Sequence, residues 1–395
     1  MAFQESDELR WYATSYYFKK DAWPERLLNY APAKFRTAAD RQLSRRRFPP
    51  LDETRVRRAL ETEFLERPFR RAGLRGAADA MMRSRHLRFP KRISRIVERE
   101  PVEVLWATHD CLETFQTLKP RGVLCVLDQP IGHFASLDRT MREEHARHPD
   151  WFFDNNVGVS FDVLDRQRRA ADIADLIVVG SPFAARTMIE NDCDPAKVRI
   201  VPYGYDQRLA PTTLPKRAPL DGRPVEFLFV GGVGPRKGLA YLLKAFQQID
   251  PAKARLTIVG PLEIPESTFS ANLGNSRYLG PALRSDVFRH MCAADCFVFP
   301  SLFEGGGIVL YEAAACGLGV IQTDRCGDGV RLPANGAILN EISVEVLTAA
   351  IHEATDAAKL ERWQSNSWSM RAERGWSIYR QTARHVLSAA RKQSS

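Results

Sequence analysis

Residues 304–312 read Glu-Gly-Gly-Gly-Ile-Val-Leu-Tyr-Glu, a glycine run between two carboxylates. Just before it, Cys296 to Pro300 (CFVFP) is a short apolar run that predicts a buried strand. After Gly307, the apolar residues Ile308, Leu310, Ala314 and Ala315 recur at helical spacing. The glycines therefore sit where a strand turns into a helix. A helix N-terminus carries unpaired N–H groups and the positive end of a dipole, so the backbone of Gly305, Gly306, Gly307 and Ile308 suits a diphosphate. Glycine lets that backbone approach closely. Glu304, at the strand end, is expected to face a bound sugar. Glu312, about two turns further along, is expected to accept hydrogen bonds from ribose hydroxyls. Alone, these residues fit a plain α/β corner as well as they fit a sugar-nucleotide site.

The flanking sequence separates the two. Residues 297–324 (FVFPSLFEGGGIVLYEAAACGLGVIQTD) resemble the donor-binding core of retaining GT-B glycosyltransferases of glycosyltransferase family 4. Three further segments match in order: 174–206 (ADLIVVGSPFAARTMIENDCDPAKVRIVPYGYD), 227–249 (FLFVGGVGPRKGLAYLLKAFQQI) and 255–260 (RLTIVG). The resemblance is continuous from residue 174 to 340, fainter from 101 to 173 and weak before 100. It implies an α/β protein of GT-B architecture, with two Rossmann-like domains facing across a cleft. Residues 1–215 would form the acceptor-side domain, 216–373 the nucleotide-sugar-binding domain, and 374–395 a C-terminal helix packing back on the first domain.

The resemblance also assigns roles. Lys237, in the matching PRKG segment, would bind the donor phosphates. Relatives place an arginine where this chain has Gly232, so one cation is missing, and Arg236 is the residue that could substitute, because guanidinium binds phosphate bidentately. The segment Tyr278-Leu279-Gly280 would form the base pocket through backbone groups, with Leu279 at its centre. His133 ends the segment GVLCVLDQPIGH (122–133) and would contact the transferred sugar as a catalytic residue together with Glu304. An imidazole can take either protonation state near neutral pH. Asp128 would orient that loop, while His109 and Asp110 read as surface loop.

Composition agrees independently. A chain of 395 residues with 44% hydrophobic content can bury two cores. Runs of about five apolar residues alternate with amphipathic stretches from residue 101 onward, the pattern of parallel sheets with crossover helices. Strands are expected at 102–107, 122–127, 176–180, 198–201, 226–231, 255–259, 296–300 and 318–322. Residues 207–224 hold four prolines without periodicity and read as the domain linker. No apolar run is long enough for a membrane span, and the N-terminus lacks a signal-peptide pattern, so a cytoplasmic protein is expected. Seven cysteines without CxxC spacing read as reduced core thiols. Asp192-Cys193-Asp194 spells a DxD string, which turn chemistry explains better than a metal site. No metal and no cofactor beyond the nucleotide-diphosphate sugar co-substrate are expected.

Charge is unevenly spread. Residues 34–99 hold 20 Lys+Arg against 8 Asp+Glu, a balance of +12, whereas the whole chain carries +9. Runs such as Arg45-Arg46-Arg47-Phe48 and Arg67-Pro68-Phe69-Arg70-Arg71 suit anionic lipid headgroups or a phosphate-bearing acceptor, or form a solvated helical face. Nucleic acid has no supporting motif. Relatives begin with a strand, a glycine-rich loop and a helix. Here Leu9 to Phe18 already resembles the second strand, so the first is expected to be absent. Together these features predict retaining transfer of a sugar to a glycan or glycolipid acceptor in bacterial surface polysaccharide or glycolipid synthesis. The alternatives are a non-hydrolysing sugar-nucleotide epimerase and a non-catalytic GT-B scaffold.

Overall fold

The computed structural model describes residues 1–19, 22, 25–30, 32, 43, 47–58, 75–153, 157–331 and 334–394. The chain divides into two compact units: residues 1–127 with 169–175 and 387–395, and residues 128–168 with 176–386. In chain order the strands are β1 (Tyr12–Thr14), β2 (Val56–Arg58), β3 (Val104–Ala107), β4 (Leu124–Gln129), β5 (Leu176–Val179), β6 (Val198–Ile200), β7 (Val225–Val230), β8 (Ala254–Val259), β9 (Arg277–Tyr278), β10 (Cys296–Phe299), β11 (Gly319–Thr323) and β12 (Gly336–Leu339). Every pairing described is parallel, as the alternation of strands and helices predicts.

In the first unit β1 pairs with β2, and β3 pairs with β4 over Val104↔Leu124 to Ala107↔Leu127. Residues 1–8 hold a short helix, Ala2–Glu5, and no strand, and only Tyr12–Thr14 of the expected strand Leu9 to Phe18 is extended. β4 starts two residues later than expected, because Gly122 adopts a left-handed φ of 76° to close the 3-10 turn Lys119–Arg121. Parts of the basic stretch 34–99, residues 34–42, 44–46 and 59–74, lie outside the described residues, including Arg45, Arg46, Arg67, Arg70 and Arg71.

The second unit contains a six-stranded sheet in the order β12-β11-β10-β7-β8-β9. Its core is dense with aromatics: Phe227, Phe229, Phe297 and Phe299 are each at most 1% exposed. Burying such side chains contributes about 1.5–3 kcal/mol apiece. Five helices bear on the site: α1 (Phe134–Arg147), α2 (Pro182–Ile189), α3 (Leu239–Gln247), α4 (Arg284–Ala293) and α5 (Ile308–Ala315). From β7 the chain runs outward to β8 and β9, then returns to place β10 on the other side of β7. Strand order therefore reverses between β7 and β10, and ligands of open α/β sheets bind beyond the carboxyl ends of the strands at such a point.

The proline-rich segment 207–224 contains neither strand nor helix, yet it is pinned by two arginines. Arg223 makes a two-pronged ion pair with the buried Asp295, at 2.6 and 3.0 Å. Arg217 donates to the carbonyls of Met291 (3.4 Å), Cys316 (2.8 Å) and Gly317 (3.3 Å), and to that of Ala294. It thus satisfies open carbonyls at the C-terminal ends of α4 and α5 together.

Candidate functional site

The two loops that flank the reversal meet through one carboxylate. After β7, residues Pro235–Lys237 form a 3-10 turn that Gly238 closes with a left-handed φ of 69°. After β10, the chain reaches Glu304. Its Oε1 accepts from Arg236 Nη1 at 2.7 Å, from Ser301 Oγ at 2.9 Å, and from Lys237 Nζ. Arg236 also donates to the Phe303 carbonyl at 2.8 Å, and Lys237 Nζ lies 4.6 Å from the centre of the Phe299 ring.

Glu304 is 8% exposed and Lys237 9%. Burial pushes the Glu304 carboxyl up, but Lys237 and Arg236 overcome this and hold it below the usual range. Burial draws the Lys237 ammonium down, opposed by Glu304. A desolvated lysine and a half-exposed arginine sharing one acceptor form a cationic focus whose natural competitor for Glu304 is another anion.

The glycines between the carboxylates have separate causes. A methyl group at Gly305 would overlap the carbonyl oxygen of Pro130, and one at Gly306 would run into the Tyr203 ring. Gly307 is the N-cap of α5 with φ 56°, a left-handed conformation that side chains other than glycine rarely take. Among the described residues, none accepts a hydrogen bond from the backbone amides of 305–309. Gly305 and Gly306 are buried, whereas Gly307 and Ile308 are half-buried.

His133 comes to the same place because Gly305 packs on Pro130 and Ile131 of its loop. His133 is the N-cap of α1: its Nδ1 accepts from the Ala135 amide at 3.2 Å, and its own amide donates to Thr187 Oγ1 at 2.9 Å. Burial pushes its imidazole down to about 4, with Asp192 opposing. It is therefore neutral at pH 7 and, with Nδ1 used as an acceptor, carries its proton on Nε2. A neutral imidazole with a fixed N–H is a hydrogen-bond donor for an uncharged hydroxyl.

Glu312 lies on α5, buried, and is bound by Arg284 at the start of α4. Burial raises its carboxyl and Arg284 lowers it, with burial the stronger. Arg284 was not singled out from the sequence. Its only signal there was a cation at the start of a helix, where a fixed carboxylate partner is needed to offset the dipole.

Leu279 follows β9. Its amide is spent on the Ile258 carbonyl at 3.0 Å, while Gly260 donates to the Gly280 carbonyl at 2.9 Å, which ties the ends of β8 and β9 together. Gly232 faces a residue that the sequence reading missed: the carboxylate of Glu263 occupies the space a Cβ would fill there. Val233 and Glu263 hold the two loops together by a Glu263 N–H to Val233 carbonyl bond of 2.9 Å. Asp192-Cys193-Asp194 is a turn, as expected, with Asp192 at φ 66° and Asp194 accepting from the Ala196 amide at 2.8 Å. His109 and Asp110 lie in the first unit, 3.6 Å apart in the 3-10 turn His109–Cys111.

Comparison with known proteins bears on the fold that carries these residues. Residues 224–356 match the model of a family described as glycosyl transferases group 1. A D-inositol 3-phosphate glycosyltransferase of Mycobacterium sp. (strain KMS) is 30% identical over 171 residues, covering 39% of this chain and 38% of that protein. This chain thus aligns with less than half of that relative's length. Among solved structures, sucrose-phosphate synthase of Thermosynechococcus elongatus superposes with a TM-score of 0.59 at 20% identity, covering 76% of this chain and 78% of the other. Anabaena HepE in complex with UDP-glucose gives 0.57 at 16% identity, covering 76% and 82%. These likenesses are of fold.

Proposed function

Given a GT-B fold whose residues 224–356 match the glycosyl transferases group 1 family, we propose that the chain transfers a sugar from a nucleotide-diphosphate donor to an acceptor hydroxyl, with retention at the anomeric carbon. The observation that carries this reading is the shared grip of Lys237, Arg236 and Ser301 on Glu304 at the point where strand order reverses.

In this reading the donor diphosphate takes over Lys237 and Arg236, assisted by the open amides of 307–309. Charge develops on the departing diphosphate, so fixed cations there lower the barrier more than they stabilise the bound donor. Freed of its cations, Glu304 turns to the sugar hydroxyls, His133 offers its Nε2–H, Glu312 takes the ribose and the backbone around Leu279 takes the base. No metal or cofactor is required, because the two side-chain cations supply the charge compensation. Activity that survives exhaustive chelation would bear this out.

The acceptor is proposed to be a phosphorylated polyol or a glycolipid of bacterial surface polysaccharide synthesis, reached in the cytoplasm or at the inner face of the membrane. Support comes from the basic balance of residues 34–99 and from the D-inositol 3-phosphate named for one relative. No helix among the described residues is long and apolar enough to cross a membrane.

The test is transfer from a panel of radiolabelled nucleotide sugars by the native chain and by Glu304→Gln, an isosteric neutral change. Acceptor-dependent product from one donor, lost in the variant, is expected. Full turnover by the variant, or label appearing in an epimerised nucleotide sugar without acceptor, would overturn the assignment.

A further inference from the structure

Cys292 on α4 and Cys316 at the C-terminus of α5 lie with their sulfurs 3.9 Å apart. Closing a disulfide from there needs the sulfurs to approach by about 2 Å, and both cysteines sit at the C-terminal ends of their helices. Three further features set this pair apart. Cys292 is half-buried, so a small oxidant can reach it, while Cys316 behind it is fully buried. The Arg217 guanidinium, bonded to the carbonyls of Met291 and Cys316, places a half-buried positive charge that acts on both thiols. Finally, the same two helices are already joined by Arg284 and Glu312, with Cys316 one turn after Glu312 and its amide bonded to the Glu312 carbonyl at 3.1 Å.

We propose that Cys292 and Cys316 form a reversible disulfide on exposure to a peroxide, and that this bond fastens α4 to α5 below Glu312. The hydrogen bond between the thiols draws Cys292 below the usual thiol range and holds Cys316 above it, so Cys292 supplies the thiolate. Its sulfur attacks one peroxide oxygen. The S–O bond forms, the O–O bond breaks, and the departing hydroxide takes up a proton as water. Cys316 sulfur then attacks Cys292 sulfur, the S–O bond breaks, and the second hydroxide leaves as water with the Cys316 proton. Two thiols lose two electrons, and the peroxide is reduced to two waters. A dithiol reductant reverses the bond by exchange.

The remaining cysteines do not offer this arrangement. Cys111, Cys125, Cys296 and Cys326 are buried, and Cys193 is half-buried in the turn after α2. Cys193 therefore serves as an internal reference for oxidation that needs only access.

The experiment treats the full-length protein with hydrogen peroxide, alkylates the remaining thiols in denaturant and maps the peptides by mass spectrometry. A cross-linked pair containing Cys292 and Cys316, lighter by two hydrogens and restored by dithiothreitol, is expected. Cys292→Ser should give no cross-link. Cys316→Ser should stop at a sulfenic acid on Cys292 that dimedone captures. Both thiols remaining alkylatable after Cys193 has been oxidised would overturn the proposal, as would a cross-link to Cys193.

Binding of UDP-glucose to oxidised and reduced protein, followed by calorimetry, reads the effect on Glu312, and this part rests on the proposed function. Affinity about tenfold weaker when oxidised, restored by reductant and unchanged in Cys292→Ser, is expected, the size of one lost charged hydrogen bond. Equal affinity of the two forms would refute the coupling to Glu312. Absence of UDP-glucose binding by reduced protein would count against that nucleotide as donor, while the peptide map decides the disulfide by itself.

Discussion

Replacing Glu304 by alanine should do more than remove the proposed sugar contact. The carboxylate is the shared acceptor of Arg236 Nη1 at 2.7 Å, Ser301 Oγ at 2.9 Å and Lys237 Nζ, and Lys237 is only 9% exposed. Its ammonium cannot recover hydration when its partner goes. Breaking a buried pair from one side typically costs about 3–5 kcal/mol. At about 2–4 °C per kcal/mol for a domain of this size, the melting temperature should fall by roughly 10 °C.

An anion delivered to the same spot should reverse much of that loss. On the proposed function, UDP must displace Glu304 from the cations in the native protein, whereas in Glu304→Ala it meets them unpaired. Thermal unfolding with and without UDP, at equal nucleotide concentration, should thus show the larger upward shift in the variant. A double change, Lys237→Met with Glu304→Leu, should regain most of the stability, since apolar groups can replace a buried pair at little cost, but lose the response to UDP. A single variant that melts within about 1 kcal/mol of native, or whose UDP shift does not exceed that of the native protein, would refute the competition between diphosphate and Glu304.

Three further perturbations follow from the geometry. Because His133 is held neutral, with its folded value near 4 against an ordinary 6.5, its contribution to stability is complete above pH 6.5 and is lost as pH falls towards 4; His133→Asn keeps an N-cap acceptor and should flatten that part of the stability–pH curve measured by denaturant titration. Gly305→Ala should destabilise by about 1–3 kcal/mol, because the added methyl must push the Pro130 carbonyl away, and circular dichroism melts compared with native report it. Gly232→Arg should be accommodated, since what stands in the way is the exposed, flexible carboxylate of Glu263; UDP affinity about tenfold tighter is expected by calorimetry, the worth of one charged hydrogen bond, and weaker binding would contradict it.

What the sequence made legible was whatever a local pattern encodes. The strand before Glu304, the helix after Gly307 and the turn that carries Lys237 all follow from apolar spacing and glycine placement within a dozen residues. Three strands escaped: Val56–Arg58 carries two arginines in three residues, Arg277–Tyr278 is only a pair of residues, and Gly336–Leu339 opens on a glycine and has only three apolar residues. The side-chain partners escaped for a different reason. Glu312 finds Arg284 and Gly232 finds Glu263 only when separate strands bring their loops side by side. Arg217 reads as a loop cation until α4 and α5 are seen to end on it. Glu304 was expected to look outward at a sugar. In the folded chain it looks instead at its own cations, a choice set by desolvation that residue order does not reveal.

The Tyr203 ring is wedged against two glycines from different strand ends: a methyl at Gly180 would come within 2.7 Å of its Cε2, and one at Gly306 would strike the same ring edge. Three positions thus share a single volume, and none can drift alone. Enlarging either glycine while the phenol remains is self-defeating, whereas a smaller residue at 203 lifts the ring's obstruction at both and leaves a methyl at 180 only the Gly306 Cα to meet, at 3.1 Å. Divergence here must run in a fixed order, the ring shrinking before the backbone is decorated, and descendants of this chain should show the three sites changing as a linked set.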